Sequence, residues 1–233
     1  MKILAIVPLL FCSSVVAQDL PMGAKQYGSL LKAEQIRLWP DHPKPVWLFG
    51  QVEQETCASL KSKVCWTANA KLETSREYGF SFGQFTVAYN ADGSERFNTW
   101  KDIKARNSIE LADWNWNNRL DPVLGLRAMV LYDYQLYRSV VKFSSNPVDS
   151  LRFSYSAYNG GLGGLLGDVK LCKNTANCDP TSWHGNGVKL GVADTSNKSR
   201  TKWHGYGQSA YDINRGYVIL IEKRSTKYEL LAR

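Results

Sequence analysis

Glu55, Gln84, Tyr158 and Asn159 are the residues whose types and settings could do chemistry on a polar, flat-faced ligand such as a sugar. Glu55 follows Trp47, Phe49 and Val52 and precedes Cys57, a candidate covalent anchor. Most glutamates at the edge of an apolar stripe are solvated charges. A carboxyl held beside apolar groups instead has its pKa raised, which suits a general acid. Tyr158 and Asn159 end an apolar, aromatic segment just before five glycines between Gly160 and Gly167. Glycine costs about 1 kcal/mol against alanine in a helix interior, so the run predicts a loop whose backbone can approach a ligand closely. The plainer alternative is a helix C-cap, with Tyr158 in the core and Asn159 left-handed. Gly83-Gln84 interrupts an alternating aromatic stretch, where glycine marks a bulge or the close approach of a ligand.

The elements that must position these groups are mostly helices. One is expected over Ala24 to Leu38, before the breaks at Trp39-Pro40 and His42-Pro43. From Pro45, Phe49, Val52, Thr56 and Leu60 recur at helical steps and carry Glu55 at the stripe's edge. Phe80, Phe82, Phe85, Val87 and Tyr89 alternate as a strand or hairpin, closed by the turn Asn90-Ala91-Asp92-Gly93. Lys61 to Tyr78 reads as irregular, and Ser94 to Leu111 as one or two short helices. Asp121-Pro122 and Asn146-Pro147 each pair an N-cap with proline at the first helical position. The first opens a helix to about Phe143, apolar nearly all round and therefore central; the second opens a helix ending at Tyr158. Beyond Asp168 the pattern is loop-rich, until a last helix from Ser209 carries Ile213, Tyr217, Leu220 and Ile221. The whole predicts a mainly α (α+β) fold: a helical domain with a small β-hairpin beside a cleft.

Residues 1–17 read as a signal peptide: Lys2, an apolar run from Ile3 to Phe11, and Val15-Val16-Ala17 as a cleavage site. Residues 18–43 then form an N-terminal segment, and residues 44–233 the main domain. The formal charge of +8 becomes +7 once Lys2 is removed, which favours an anionic partner. Basic residues are scattered, so nucleic acid is not the expected partner. No stable membrane insertion is expected after cleavage, because no later segment is long and apolar enough. Four cysteines remain, and an even count in an exported chain implies disulfides. Three pairings are open. The local one, Cys57 with Cys65 and Cys172 with Cys178, is expected because each closes a short loop. A zinc site is disfavoured, since neither pair is Cys-x-x-Cys and the histidines are His42, His184 and His204. Phosphate-loop and His-Glu-x-x-His motifs are absent. One echo remains: Thr181–Gly187 and Thr201–Gly207 share Trp-His-Gly. It is either two similar turns or a pair of loops presenting Trp183 and Trp203 to a sugar.

In order along the chain, three pieces resemble the lytic transglycosylase and goose-type lysozyme group. Glu55-Thr56 matches that family's Glu-Ser at the end of an apolar helix. Ser81-Phe82-Gly83-Gln84 keeps the glutamine of its Gly-Leu-Met-Gln. Ala157-Tyr158-Asn159-Gly160-Gly161 matches its Ala-Tyr-Asn-Ala-Gly. Tyr217-Val218 is a fourth, weaker match, with Ile213-Asn214 in place of the family's Glu-Thr. The likeness spans roughly residues 44 to 222.

The resemblance implies a lysozyme-like fold and cleavage of the β-1,4 bond between N-acetylmuramic acid and N-acetylglucosamine in peptidoglycan. Glu55 would act as acid and then base, giving a 1,6-anhydro product. Gln84, Tyr158 and Asn159 would hold the sugar or the glutamate, and Tyr217 would stack on a pyranose face. A hydrolytic muramidase would want a second carboxylate, about 6.5–9.5 Å away in inverting enzymes; Glu73, Glu77 and Asp92 are candidates by position. Glu77 is also the rival for the acid. A non-catalytic wall-binding protein on the same fold is the reading from another class. No cofactor or metal is expected. The expected state is a monomer, exported to the periplasm or secreted.

Overall fold

A computed structural model describes residues 20–202 and 207–232. The proposed signal peptide and the Trp203-His204 half of the echo lie outside them. Among the described residues there are eight α-helices and a four-stranded antiparallel sheet, the mainly α (α+β) class the pattern predicts. Helix α1, Met22–Leu38, buries Ala24, Gly28 and Leu31 on one face and packs on α4. Its buried Glu34 grips Arg127 of α4 with both carboxylate oxygens, at 3.1 and 2.9 Å. Helix α2, Val46–Glu53, is buried along its whole length. It packs on the late helix α7, Ala210–Ser225, so closely that a Cβ on Gly50 would lie 2.5 Å from the Ile221 carbonyl.

The strands β1 (Lys71–Glu73), β2 (Glu77–Phe80), β3 (Phe85–Tyr89) and β4 (Glu95–Asn98) form a meander in that order. Tyr78 pairs with Val87 and Phe80 with Phe85, so alternate side chains build one apolar face. The sheet is larger than the expected hairpin. β1 lies in the stretch read as irregular, and β4 precedes α3 (Thr99–Arg106) where only helix was expected. Both strands are short and largely polar, so alternation left little trace.

Helix α4, Pro122–Val140, is the central helix the pattern predicts, capped by Asp121 on the Leu124 N–H at 2.9 Å. Helix α5, Pro147–Gly160, is capped by Asn146 on Val148 and Asp149. The glycine run overturns its prediction. It continues as helix α6, Leu162–Lys173, with Gly161 at φ 78° as the break between the two helices. Two of these glycines answer to close neighbours. A Cβ on Gly160 would lie 2.7 Å from Asn214 Nδ2, and one on Gly167 would lie 3.0 Å from Asn197. Space forces glycine there, and its helical cost is offset by that approach. Among the described residues no helix is long and apolar enough to cross a membrane.

Candidate active site

Helix α2 does not simply run on past Glu53. It widens into a π turn, Gln54–Ala58, in which Ser59 N–H reaches back five residues to the Gln54 carbonyl at 2.9 Å. Such turns insert one extra residue and re-aim the side chains beyond it. The turn is tied down from three directions. Thr56 Oγ1 donates to Val52 O at 2.6 Å and accepts from Trp66 N–H at 2.8 Å. Cys57 is bonded to Cys65, and Cys172 to Cys178, the local pairing expected. Trp66 Nε1–H bonds the Tyr228 hydroxyl, which in turn bonds Glu53.

Glu55 therefore sits on a fixed turn and is 8% exposed. Its Oε1 accepts from the Tyr217 hydroxyl at 2.5 Å. Burial raises its pKa and the Tyr217 bond opposes, leaving it pushed up to about 7. Tyr217 comes from α7, so the α2–α7 packing creates this contact. The Tyr217 ring is 3% exposed and lies 6.3 Å from the Tyr158 ring at an interplanar angle of 12°. Its hydroxyl serves Glu55, and its face is turned to another tyrosine.

Tyr158, near the end of α5, donates its hydroxyl to the Gly83 carbonyl at 2.6 Å. A Cβ on Gly83 would lie 2.6 Å from that oxygen. The close approach that demands this glycine is made by Tyr158 together with the Phe85 ring, also 2.6 Å away. Gln84, at φ 46°, spends its amide N–H groups on Ala70 O and Ser81 O, at 3.0 and 3.1 Å. It ties the β2–β3 turn to the chain before β1. Asn159 Oδ1 accepts from Asn214 Nδ2 at 3.2 Å. Asn214 also bonds Ser156 and is held by Arg215, whose guanidinium bonds the fully buried Asp168 at 2.9 Å. The α5 end is thereby clamped to α7.

These residues line one groove made of two adjoining hollows, of about 420 and 380 Å³, that share Gln84, Thr86, Tyr158 and Asn159. Glu55 and Tyr217 lie in one; Phe97, Thr99 and Tyr132 lie in the other. Glu55, Gln84, Tyr158, Asn159 and Tyr217, far apart in sequence, are brought together. The rival carboxylates are not. Glu77 is paired with Arg96 at 2.5 Å and Glu73 with Lys71 at 3.1 Å, and neither lines the groove. Asp92 belongs to an exposed turn with Ser94. Asp212 reaches the groove, but its carboxylate caps α7 through Ser209. Trp183 is fully buried beneath the Arg215 guanidinium, 4.7 Å from its ring centre, so this half of the echo is a structural turn and not a sugar platform. Among the described residues no cluster of three or more His, Cys, Asp or Glu could hold a metal ion.

Sequence reasoning missed Gln51 and Asp133. Both are buried beside Tyr217, with Gln51 Nε2 at 3.1 Å from Asp133 Oδ1 and 3.4 Å from the Tyr217 oxygen. The signal was present: each is a lone polar residue in a helix otherwise apolar on that face. A scan of protein families and a search of curated proteins each find no match to this chain.

Proposed function

We propose that this chain is an exported lytic transglycosylase that cleaves the bond between N-acetylmuramic acid and N-acetylglucosamine. The observation that carries the reading is a desolvated glutamate on a rigid turn, open to a groove in which the other described carboxylate, Asp212, is engaged at the α7 N-terminus. With a pKa near 7, Glu55 is protonated often enough at neutral pH to give its proton to the leaving glycosidic oxygen. The resulting carboxylate then takes the proton of the muramic acid C6 hydroxyl, whose oxygen closes on C1. One carboxyl suffices for both steps. Inverting hydrolysis needs a water-activating partner, and among the described groove residues the other carboxylate, Asp212, is taken up by its Ser209 capping box. The Tyr217 hydroxyl steadies the carboxylate between the steps. Lys61 and Arg224 also line the groove, and they and the net charge of +8 suit an acidic wall polymer. Two disulfides fit assembly outside the cytoplasm.

The test is digestion of purified peptidoglycan with mass spectrometry of the products. The expected muropeptides are one water lighter than reducing-end products, and Glu55→Gln should slow their release by about 100-fold or more. Reducing-end products would make the chain a hydrolase. A parent that binds the wall and releases nothing would make it a binding protein. A Glu55→Gln variant as fast as the parent would sink the assignment of the acid.

A further inference from the structure

We propose that Asp133 is a positioning residue, carried as a neutral acid and paired edge to edge with the Gln51 amide, and that this pair holds the Tyr217 hydroxyl on Glu55. The inference rests on the reading of Glu55 as the acid, but its geometry stands apart from any substrate. A tyrosine hydroxyl has one hydrogen to give. Glu55 Oε1 receives it at 2.5 Å. The Tyr217 oxygen is then free to accept, and the nearest donor is Gln51 Nε2 at 3.4 Å. The other Gln51 N–H goes to Asp133 Oδ1 at 3.1 Å. Two atoms of these same planar groups are left over, Gln51 Oε1 and Asp133 Oδ2. Both are buried without a partner. With Asp133 ionised, both are acceptors, and neither can satisfy the other. One proton on Asp133 Oδ2 turns the pair into a closed acid–amide ring. Each of the group's four donor hydrogens, one on Tyr217, two on Gln51 and one on Asp133, then meets an acceptor within it.

The surroundings favour the neutral acid. Asp133 is 1% exposed and forms no ion pair among the described residues. Glu55 faces it from the π turn, Tyr155 and Tyr158 from α5, Tyr217 from α7, and Tyr132 adjoins it on α4. A second carboxylate charge there would be desolvated beside the first. Turning the Gln51 amide over would put its carbonyl against the Tyr217 oxygen. That carbonyl would compete with Glu55 for the single hydrogen. The acid–amide ring therefore determines which acceptor Tyr217 serves.

The experiment is carboxyl-carbon NMR titration of the full chain, labelled at aspartate and glutamate, for the parent, Asp133→Asn and Asp133→Leu. In the parent, the Asp133 resonance should show no step near the ordinary aspartate value of about 3.9. Asparagine offers the same acceptor and donor as the neutral acid, so Asp133→Asn should leave the Glu55 titration where it was. Leucine removes both, frees the amide, and should shift the Glu55 titration upward because Glu55 loses its accepted bond. If Asp133 is ionised instead, both variants remove a neighbouring negative charge and shift the Glu55 titration downward. An unshifted Glu55 in a folded Asp133→Leu variant would make Asp133 a bystander. Either result overturns the proposal. Should the leucine variant not fold, the parent Asp133 resonance and the asparagine variant still decide. None of these readouts needs catalysis, so a chain that cleaves no peptidoglycan would fail the functional reading and leave this one standing or falling on its own.

Discussion

Among the described residues Tyr217 gives Glu55 its one side-chain hydrogen bond, and that bond and burial have opposite effects on the proton. Burial raises the Glu55 pKa, while the bond from Tyr217 lowers it, and the balance falls at about 7. Tyr217→Phe removes the lowering influence and should move the Glu55 pKa higher. The proposed first step needs the protonated acid, so on that reading the parent's rate should fall as pH rises through about 7. In the phenylalanine variant this alkaline limb should lie at higher pH, as a pH–rate profile would show. The plateau rate should still drop, roughly ten- to a hundredfold, because a hydrogen bond to a charged group contributes about 1.5–3 kcal/mol. Glu55 was legible in the sequence because its apolar neighbours are local. Gln51 and Asp133 were not legible as a pair, since they are 82 positions apart and meet only after folding. Tyr217 was legible as a site residue, but its partner was not: a phenol at the groove looks the same whether it offers its face to a sugar or its hydroxyl to a glutamate.

At the scale of elements, the α2–α7 crossing decides where Glu55 and Tyr217 meet. A Cβ on Gly50 would lie 2.5 Å from both the Ile221 carbonyl and Ser225 Oγ. Gly50→Ala should therefore push the helices apart, costing about 1–3 kcal/mol as overpacking does. A thermal melt should show the loss of stability, and activity should fall further than stability alone explains, because the Tyr217–Glu55 distance opens. A variant as stable and as active as the parent would show that the helices slide freely past one another. Helices α4 and α5 were legible because their signals, Asp121-Pro122 and Asn146-Pro147, are adjacent in the chain. Helix α6 was hidden for the opposite reason. Gly167 within it, like Gly160 at the end of α5, is small because an asparagine presses against it, Asn197 and Asn214 respectively, and a residue's distant neighbour leaves no mark on the residues beside it.

At the scale of the whole molecule, His42 ties stability to acidity. It is 5% exposed, packed on Trp39 with ring centres 3.9 Å apart, and its Nδ1 accepts from Lys44 N–H at 3.0 Å. Burial pushes its pKa down to about 3. An unfolded chain binds that proton near pH 6.5, so between the two values the unfolded state holds one proton more. Stability is complete above about 6.5 and falls as the pH drops, by roughly 5 kcal/mol when about 3 is reached. His42→Asn keeps an acceptor for Lys44 and removes the titration. Urea denaturation from neutral to acid pH should give a flatter stability curve for this variant; an unchanged slope would place the acid sensitivity elsewhere. The groove has a further consequence, concerning when its parts come together. Glu55 and Tyr217 are 162 positions apart, and α7 also supplies Asn214, which clamps Asn159. A nascent chain still short of α7 has its acid but neither the hydroxyl that holds it nor the clamp beside it. The surroundings of Glu55 are therefore complete only once α7 is in place. Chains cut short before α7 therefore lack both the hydroxyl on Glu55 and the clamp on Asn159.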